Sequence, residues 1–323
     1  MQIGGVKMAN PLFLAPMAGV TDKAFRLIAR RYGCALVYTE MISARALVYQ
    51  NKKTRALLDL TGEEPPLAVQ LLGGEPLNMA RAAEIAQKAG AQIIDLNFGC
   101  PTPKIVNNGA GAALLKQPHL AVQIVEAVRR AVTLPVTVKL RAGWDKINVR
   151  EFAQRMEDAG VSALTIHGRT REQYYQGSAN WDLIKQVKNR VKVPVIGNGD
   201  LWTTADARRM LKETGCDALM FARGVLGNPW LFRQVNHFLK NGEELPAPTP
   251  QEKIAGAIEH LELAVSFKGE VRGLKEMRKH LVWYLKGLPH TARLKEQLFR
   301  TTEMAEVLFL LRNYQEKRLS RLN

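Results

Sequence analysis

The first 240 residues alternate short apolar segments with segments of helical length, and this alternation restricts the fold more than any other feature. The apolar segments are rich in Val, Ile and Leu, which is typical of parallel strands buried on both faces. Eight strand–helix units within roughly 240 residues match an α/β fold of the (β/α)8 TIM-barrel type. The predicted strands lie at residues 12–15, 36–39, 67–71, 93–96, 136–140, 163–166, from 195 onward, and 218–221.

An open, doubly wound sheet is the alternative architecture. Such a sheet should carry a glycine-rich loop directly after its first strand, where the phosphates of a dinucleotide bind. In this chain that place holds Pro16, Met17 and Ala18, followed by a single Gly19. The sequence therefore favours the barrel. The helices predicted between the strands include one at 76–88 and one at 110–131 that is interrupted near Pro118.

The chain changes character after residue 241. Residues 242–250 contain three prolines and two glutamates and are predicted to be a linker. From residue 251 onward the apolar positions follow a helical period, and no strand pattern is present. We therefore expect a barrel domain at residues 1–241, a linker at 242–250 and a small domain of three or four helices at 251–323.

The cysteines and the apolar runs indicate the compartment. Cys34, Cys100 and Cys216 lie far apart, form no Cys-x-x-Cys pair and have no histidine at metal-binding spacing. No apolar run is long enough to cross a bilayer, and the N-terminus does not resemble a signal peptide. We expect a reduced, cytoplasmic protein that binds no metal and no membrane. No stable protein partner is implied, so we expect a monomer.

The chain is strongly basic, with a formal net charge of +16. The positive excess is spread over the chain and is not confined to a tail. This distribution suits a polyanionic partner such as nucleic acid. A basic protein without such a partner is the alternative, and net charge does not separate the two.

Cys100 is the residue whose position most strongly suggests chemistry. It follows the fourth predicted strand, and it stands between Gly99, which permits a sharp turn, and Pro101, which fixes φ. An ordinary thiol titrates near ~8.5, so such a group serves as a nucleophile if its pKa is lowered and as a proton donor if it stays neutral. A small buried apolar residue is the structural alternative. The position at a strand end favours a function.

Polar side chains follow nearly every predicted strand. In a barrel, the carboxyl ends of the strands meet at one mouth, where reactive residues are found. Any one of these residues could be structural, but their recurrence after eight strands is hard to explain that way. In chain order the strand ends hold Pro16 to Ala18, Glu40, Gln70, Asn97 with Cys100, Lys139 with Arg141, His167 with Arg169, Asn198 to Asp200, and Arg223 with Gly224, and all but the first include a polar side chain.

The last two strands are followed by segments suited to a phosphate. Residues 197–200 read Gly-Asn-Gly-Asp, and residues 222–224 read Ala-Arg-Gly. Loops in these places often bind phosphate through backbone N–H groups, and Arg223 adds charge. Lys139 could place a positive charge beside a reduced flavin. The pattern predicts a site for a flat, phosphorylated cofactor facing a thiol. The Gly-x-Gly at residues 109–111 lacks the third glycine of a dinucleotide loop.

Six segments of the sequence stand out as motifs. They are APMAGVTD at 15–22, DLNFGCP at 95–101, TIHGRT at 165–170, GNGD at 197–200, RG at 223–224 and, in the helical part, RKHLVWYL at 278–285. Taken together, these segments resemble the tRNA-dihydrouridine synthase family, and within it the bacterial B-type enzymes. The resemblance extends over essentially the whole chain.

The resemblance implies a mechanism and assigns roles to the residues. NADPH or NADH would reduce FMN, the flavin would give hydride to C6 of a uridine in tRNA, and Cys100 would protonate C5. The helical domain would help to bind tRNA. Asn97, Arg141 and Arg169 would bind the substrate. The FMN contacts implied are Pro16, Met17, Ala18, Gln70, Lys139, His167, Asn198, Gly199, Asp200, Ala222 and Arg223.

Two other functions are compatible with parts of the pattern. A flavin oxidoreductase of a free pyrimidine, similar to dihydroorotate dehydrogenase, could use the same barrel. The charge and the added helical domain speak against it, because a small pyrimidine needs neither. A non-catalytic RNA-binding module is the second, and the polar strand ends speak against it.

Overall fold

The computed structural model describes residues 1–316 of the chain. An N-terminal hairpin precedes a set of parallel strands that alternate with helices. The strands are β1 (Gln2–Ile3), β2 (Val6–Lys7), β3 (Leu12–Leu14), β4 (Val37–Tyr38), β5 (Ile42–Ser43), β6 (Leu67–Leu72), β7 (Ile93–Phe98), β8 (Val136–Arg141), β9 (Ala163–His167), β10 (Val195–Asn198) and β11 (Ala218–Phe221).

The parallel strands form a barrel, as predicted from the sequence. Their order is β3-β11-β10-β9-β8-β7-β6-β4, and a parallel bridge between Phe13 and Leu36 brings β3 beside β4. The second barrel strand is interrupted, because β4 and β5 pair in turn with β6. The sequence predicted one continuous strand at this position. The short β1–β2 hairpin was not predicted.

Helices cover the outside of the barrel and continue beyond it. Those that follow barrel strands are α1 (Lys23–Arg31), α2 (Ala44–Val48), α3 (Lys52–Ala56), α4 (Pro76–Lys88), α5 (Pro103–Val106), α6 (Pro118–Ala131), α7 (Val149–Asp158), α8 (Trp181–Lys188), α9 (Thr204–Thr214) and α10 (Trp230–Asn241). The later ones are α11 (Pro250–Lys268), α12 (Glu270–Tyr284), α13 (Ala292–Arg300) and α14 (Met304–Tyr314).

Local sequence explains where several helices begin. The Asp22 carboxylate accepts a hydrogen bond from the Phe25 backbone N–H at 2.9 Å and caps α1. Thr203 and Asp206 form a reciprocal capping box at the start of α9. Pro118 stands in the first turn of α6, where it is tolerated. The helix predicted at 110–131 is therefore two segments, a 3-10 helix at Gly111–Lys116 and then α6.

The C-terminal helices pack on the barrel through α1. Ala24 of α1 and Trp230 of α10 belong to the same apolar cluster as the buried side chains of α11 and α12. Phe25 stacks on His260 with ring centroids 5.4 Å apart. Lys268 forms an ion pair with Asp22. We use the term helical layer for α11 to α14. Within residues 1–316 no helix is both long and apolar enough to cross a membrane.

Candidate active site

A cavity of about 430 Å³ lies at the carboxyl ends of the barrel strands. Its volume is within the range of pockets that bind small molecules and cofactors. All the predicted site residues except Gln70 and Arg169 line it. These are Pro16, Met17, Ala18, Asn97, Cys100, Lys139, Arg141, His167, Asn198, Gly199, Asp200, Ala222 and Arg223.

Asn97 shapes the turn that carries the Cys100 thiol. Its side-chain oxygen Oδ1 accepts hydrogen bonds from the backbone N–H of Gly99 at 3.1 Å and of Cys100 at 2.9 Å. The thiol is half-buried on the cavity wall, and its Sγ lies 3.4 Å from the Thr102 hydroxyl. Cys34, by contrast, is buried, and burial raises the pKa of its thiol to about 12.

Gly111 supports the same turn from behind. Its φ is +61°, a conformation that favours glycine, and a Cβ there would lie 2.8 Å from the Cys100 carbonyl oxygen. The N–H of Ala112 donates to that carbonyl at 3.0 Å. Gly111 therefore lets the chain pass close to Cys100, which explains this glycine of the Gly-x-Gly without a dinucleotide.

Gln70 lies beneath the cavity. Its side chain is buried in the barrel, where its Oε1 accepts from the Asn97 amide at 2.8 Å and its Nε2 donates to Asp95 at 2.7 Å. Gln70 therefore contacts the wall residue Asn97 and does not itself line the cavity.

Arg141 ties three backbone segments together beside the thiol. Its Nε donates to the Gly99 carbonyl at 2.9 Å, and its Nη1 donates to the carbonyls of Thr170 and Tyr174, both at 2.8 Å. These bonds fix the loop after β9 against the Cys100 turn. The guanidinium also lies over the Tyr175 ring, 5.5 Å from its centroid.

Lys139 places a recessed amine on the cavity wall. Burial, assisted by the neighbouring Arg141, lowers the pKa of Lys139 to about 8. Its Nζ donates to Asn198 Oδ1 at 2.9 Å, and the Asn198 amide donates in turn to the Met220 carbonyl at 2.7 Å. Asn198 thereby links β8, β10 and β11 at the mouth of the barrel.

His167 is a neutral imidazole among cations. Burial, followed by the charges of Lys139 and nearby arginines, holds the pKa of His167 well below its usual range. Arg169 Nη1 lies 3.5 Å from His167 Nε2. Because a guanidinium has only donors, this contact makes Nε2 the acceptor.

Asp200 is the anionic centre of the arginine cluster. Its carboxylate accepts from Arg169 Nη1 at 3.0 Å and Nη2 at 2.7 Å, from the Ala179 N–H at 2.7 Å, and from Arg223 at 3.3 Å. Burial acts to raise the pKa of Asp200, but the hydrogen bonds from Arg169 and Ala179 outweigh it and the pKa is lowered. Arg169 is buried behind the cavity wall and holds Asp200 in place.

Gly199 allows the turn after β10 to pass over His167. Its φ is +117°, and a Cβ at this position would lie 2.8 Å from Cδ2 of the imidazole. Trp181 donates from its indole N–H to the Gly199 carbonyl at 3.0 Å. At this corner the cavity wall is therefore the backbone of Gly199, packed against the His167 ring.

Aromatic residues at the mouth were not predicted from the sequence. Tyr175 and Trp202 line the cavity and flank Arg223, whose guanidinium lies 4.8 Å and 5.1 Å from their ring centroids. Trp283 of α12 also lines the cavity. The loops after β9 and β10 could have indicated Tyr175 and Trp202, because such loops reach the mouth of a barrel. No local signal places Trp283 there.

The chemistry of the wall fits a flat, anionic cofactor. One corner combines Arg223 with backbone after β10 and β11, which suits a phosphate. Lys139 supplies a recessed cation in the wall, and the thiol of Cys100 belongs to the same cavity. A parallel barrel with such groups at its mouth has the organisation of a barrel enzyme.

Comparison with known proteins identifies the family. The family model of the dihydrouridine synthases matches residues 13–322, and the chain belongs to this family. It is 45% identical to the probable tRNA-dihydrouridine synthase 1 of Synechocystis sp., over 95% of this chain and 86% of that protein. It is 42% identical to tRNA-dihydrouridine synthase B of Pseudomonas aeruginosa, over 93% of this chain and 91% of that protein. The family predicted from the motifs is confirmed.

The fold is also similar to that of a solved structure outside the family. Histamine dehydrogenase from Rhizobium sp. 4-9 matches with a TM-score of 0.57 and 15% sequence identity, over 81% of this chain and 50% of that chain. At this identity the similarity shows the fold alone.

Proposed function

We propose that this protein is an FMN-dependent tRNA-dihydrouridine synthase that uses NADPH or NADH as reductant. The observation that carries the proposal is the Cys100 thiol, held on the cavity wall by Asn97 within a chain of this family. Bound FMN would supply a hydride to C6 of the target uracil. The product would be 5,6-dihydrouridine.

The residues of the barrel mouth would hold the cofactor. Arg223 and the backbone after β10 and β11 would bind its phosphate. Asn198 orients the Lys139 amine, which would place positive charge beside the ring system. Pro16, Met17, Ala18 and Ala222 would supply apolar and backbone contacts. His167, Gly199 and Asp200 would complete the same corner, and Gln70 would act through Asn97.

Cys100 would act as general acid. Hydride arriving at C6 leaves negative charge developing at C5, which must receive a proton. A positioned side chain provides that proton faster than solvent, because solvent is largely excluded once the base is flipped into a pocket. A neutral thiol is suited to this role.

The three predicted substrate residues would act in different ways. Asn97 would offer the uracil one amide N–H, since its other N–H donates to Gln70 and the remaining contact of this nitrogen is the weak acceptor Met41 Sδ at 4.0 Å. Arg141 would contact substrate from the cavity wall while it fixes the Gly99 carbonyl. Arg169 is fully engaged with Asp200 and loop carbonyls, so it would act by holding the wall.

A tRNA substrate suits the surface around this site. The net charge of +16 favours a polyanion. Exposed Trp202 and Tyr175 at the mouth can stack on unpaired bases. Trp283 adds part of the helical layer to the cavity wall, so the RNA would meet both parts of the chain.

Substitution of Cys100 tests the proposal most directly. Cys100→Ala should retain FMN and oxidise NADPH, because flavin reduction does not use the thiol proton. It should slow uridine reduction by about 10² to 10⁴-fold. Cys100→Ser should rescue poorly, because a hydroxyl is a far weaker acid. Stopped-flow measurement of the two half-reactions checks this expectation, and Cys34→Ala serves as a control at a buried cysteine away from the cavity.

Two outcomes would contradict the assigned role. Wild-type tRNA reduction by Cys100→Ala would make the thiol structural. Loss of flavin from this variant would assign Cys100 to the cofactor site. Reduction of free pyrimidines in preference to tRNA would overturn the proposed substrate.

A further inference from the structure

A continuous line of hydrogen bonds runs through the barrel and ends at the Cys100 turn. The Thr137 hydroxyl donates to Asp95 Oδ1 at 2.6 Å, and Gln70 Nε2 donates to Asp95 Oδ2 at 2.7 Å. Gln70 Oε1 then accepts from Asn97, whose own Oδ1 accepts from the Cys100 N–H. The line joins strands β6, β7 and β8.

The direction of the bonds in this line is fixed from both ends, by the carboxylate at residue 95 and by the backbone N–H groups of the Cys100 turn. An ionised carboxylate only accepts, so the Gln70 side chain must turn its NH₂ toward Asp95 and its oxygen toward Asn97. Asn97 must then give its NH₂ to Gln70 and direct its oxygen to the turn. Rotation of either amide by half a turn would place donor against donor or acceptor against acceptor.

Burial of the Asp95 carboxylate costs free energy of folding, and the orientation of this hydrogen-bonded line is the purpose that accounts for it. The side chain is completely buried, and burial raises its pKa to about 6 because the charged form loses contact with water. Ile93, two residues earlier and on the same face of β7, is apolar and equally buried. An apolar residue at 95 would therefore fill the barrel but would leave the Gln70 amide without its acceptor.

We propose that Asp95 is a positioning residue for Cys100, which it aligns through the side chains of Gln70 and Asn97. Its effect on the reaction rests on the proposed function of Cys100 as general acid. Its effect on the geometry of the turn does not. The two can therefore be measured separately.

Alkylation of the cofactor-free protein tests the geometry. Cys100 is half-buried, whereas Cys34 and Cys216 are buried and serve as internal controls in the same sample. In Asp95→Leu the Gln70 amide has no acceptor, so Gln70 and Asn97 no longer hold the Cys100 turn in one orientation. The rate of Cys100 alkylation by iodoacetamide should then rise about tenfold. Asp95→Asn should stay within a few-fold of wild type, because its amide oxygen can accept from Gln70 while its NH₂ donates to Thr137.

Gln70→Met interrupts the line in its middle and is the second variant. It should reproduce the effect of Asp95→Leu, and the double variant should show little further change, since the two residues act in series. Thr165→Val is the matched control. It removes a buried barrel hydrogen bond, that of Thr165 with Tyr38, which lies outside the line. Its Cys100 alkylation rate should be that of wild type.

The half-reactions test the consequence for catalysis. Asp95→Leu should oxidise NADPH at the wild-type rate but reduce tRNA about 10- to 100-fold more slowly, with the loss in kcat. A purely structural role would instead expose Cys34 and Cys216 and slow both half-reactions. That result, or an unchanged Cys100 alkylation rate in both Asp95→Leu and Gln70→Met, would overturn the proposal. Failure of the wild type to reduce tRNA would refute the proposed function but leave the alkylation result standing.

Discussion

Two buried histidines should make the junction between barrel and helical layer sensitive to acid. His260 stacks on Phe25. The His280 ring lies edge-on to the His260 ring, with their centroids 4.6 Å apart. Burial lowers the pKa of His260 to about 4, with Asp22 acting to raise it and Lys268 to lower it. Burial likewise holds the pKa of His280 well below its usual range. Both rings are therefore neutral when the chain is folded.

The size of the effect follows from the shift in pKa. The imidazole of His260 binds a proton more readily in the unfolded chain than in the folded one. The folded state is therefore most stable above the ordinary pKa of 6.5, and it loses stability as the pH falls from there toward about 4. Between pH 8 and pH 5 this shift corresponds to about 2 kcal/mol of unfolding free energy for His260 alone. His280 adds a contribution of the same sign.

His260→Phe removes this titration while keeping a flat ring against Phe25. We expect its unfolding free energy, measured in urea at pH 8 and pH 5, to fall by about 2 kcal/mol less than that of the wild type. The comparison uses the change with pH, so any offset from repacking cancels. His119→Gln, at an exposed position of α6, is the control and should behave as wild type. An equal loss in His260→Phe and wild type would refute the reasoning that burial keeps this ring neutral.

Three further predictions concern the cavity and the RNA. Arg223→Ala should lower FMN occupancy, read from flavin absorbance, while Arg208→Ala, whose guanidinium lies over Phe238, should remain fully yellow. Affinity for tRNA should fall at least about tenfold between low and moderate salt, and salt-insensitive binding would contradict a phosphate-dominated interface. Gly111→Ala should slow tRNA reduction but not NADPH oxidation, because a methyl group there displaces the Cys100 carbonyl. If both half-reactions run at the wild-type rates, Gly111 does not have this packing role.

The barrel could be predicted from the sequence because its strands are short, apolar and regularly spaced. The predicted helix at 76–88 coincides with α4, since Pro76 marks its start and its apolar positions follow a helical period. The break between β4 and β5 could not be predicted, because strands of two residues carry no periodic signal. The same applies to α2 and α3, whose five residues are too short to establish a helical pattern.

The site was predictable where a residue stands at or near the carboxyl end of a strand and was less so elsewhere. Gln70 stands two residues before the end of β6, as Lys139 does in β8, but hydrogen bonds with Asp95 and Asn97 hold its side chain below the cavity. Arg169 follows β9 but is drawn behind the wall by Asp200, a tertiary pairing that spacing does not reveal. Trp283 comes from α12, and only the packing of the helical layer brings it to the cavity.

The placement of Trp283 has a consequence for engineering. The residue stands on the cavity wall, its backbone lies against Gly227, and nearby Lys279 of the same helix donates to the Gly19 carbonyl. Barrel and helical layer therefore cannot be exchanged between relatives as independent modules. A chimera joined near residue 245 would take its cavity wall from both parents, so that exchange of the helical layer would also change the cavity.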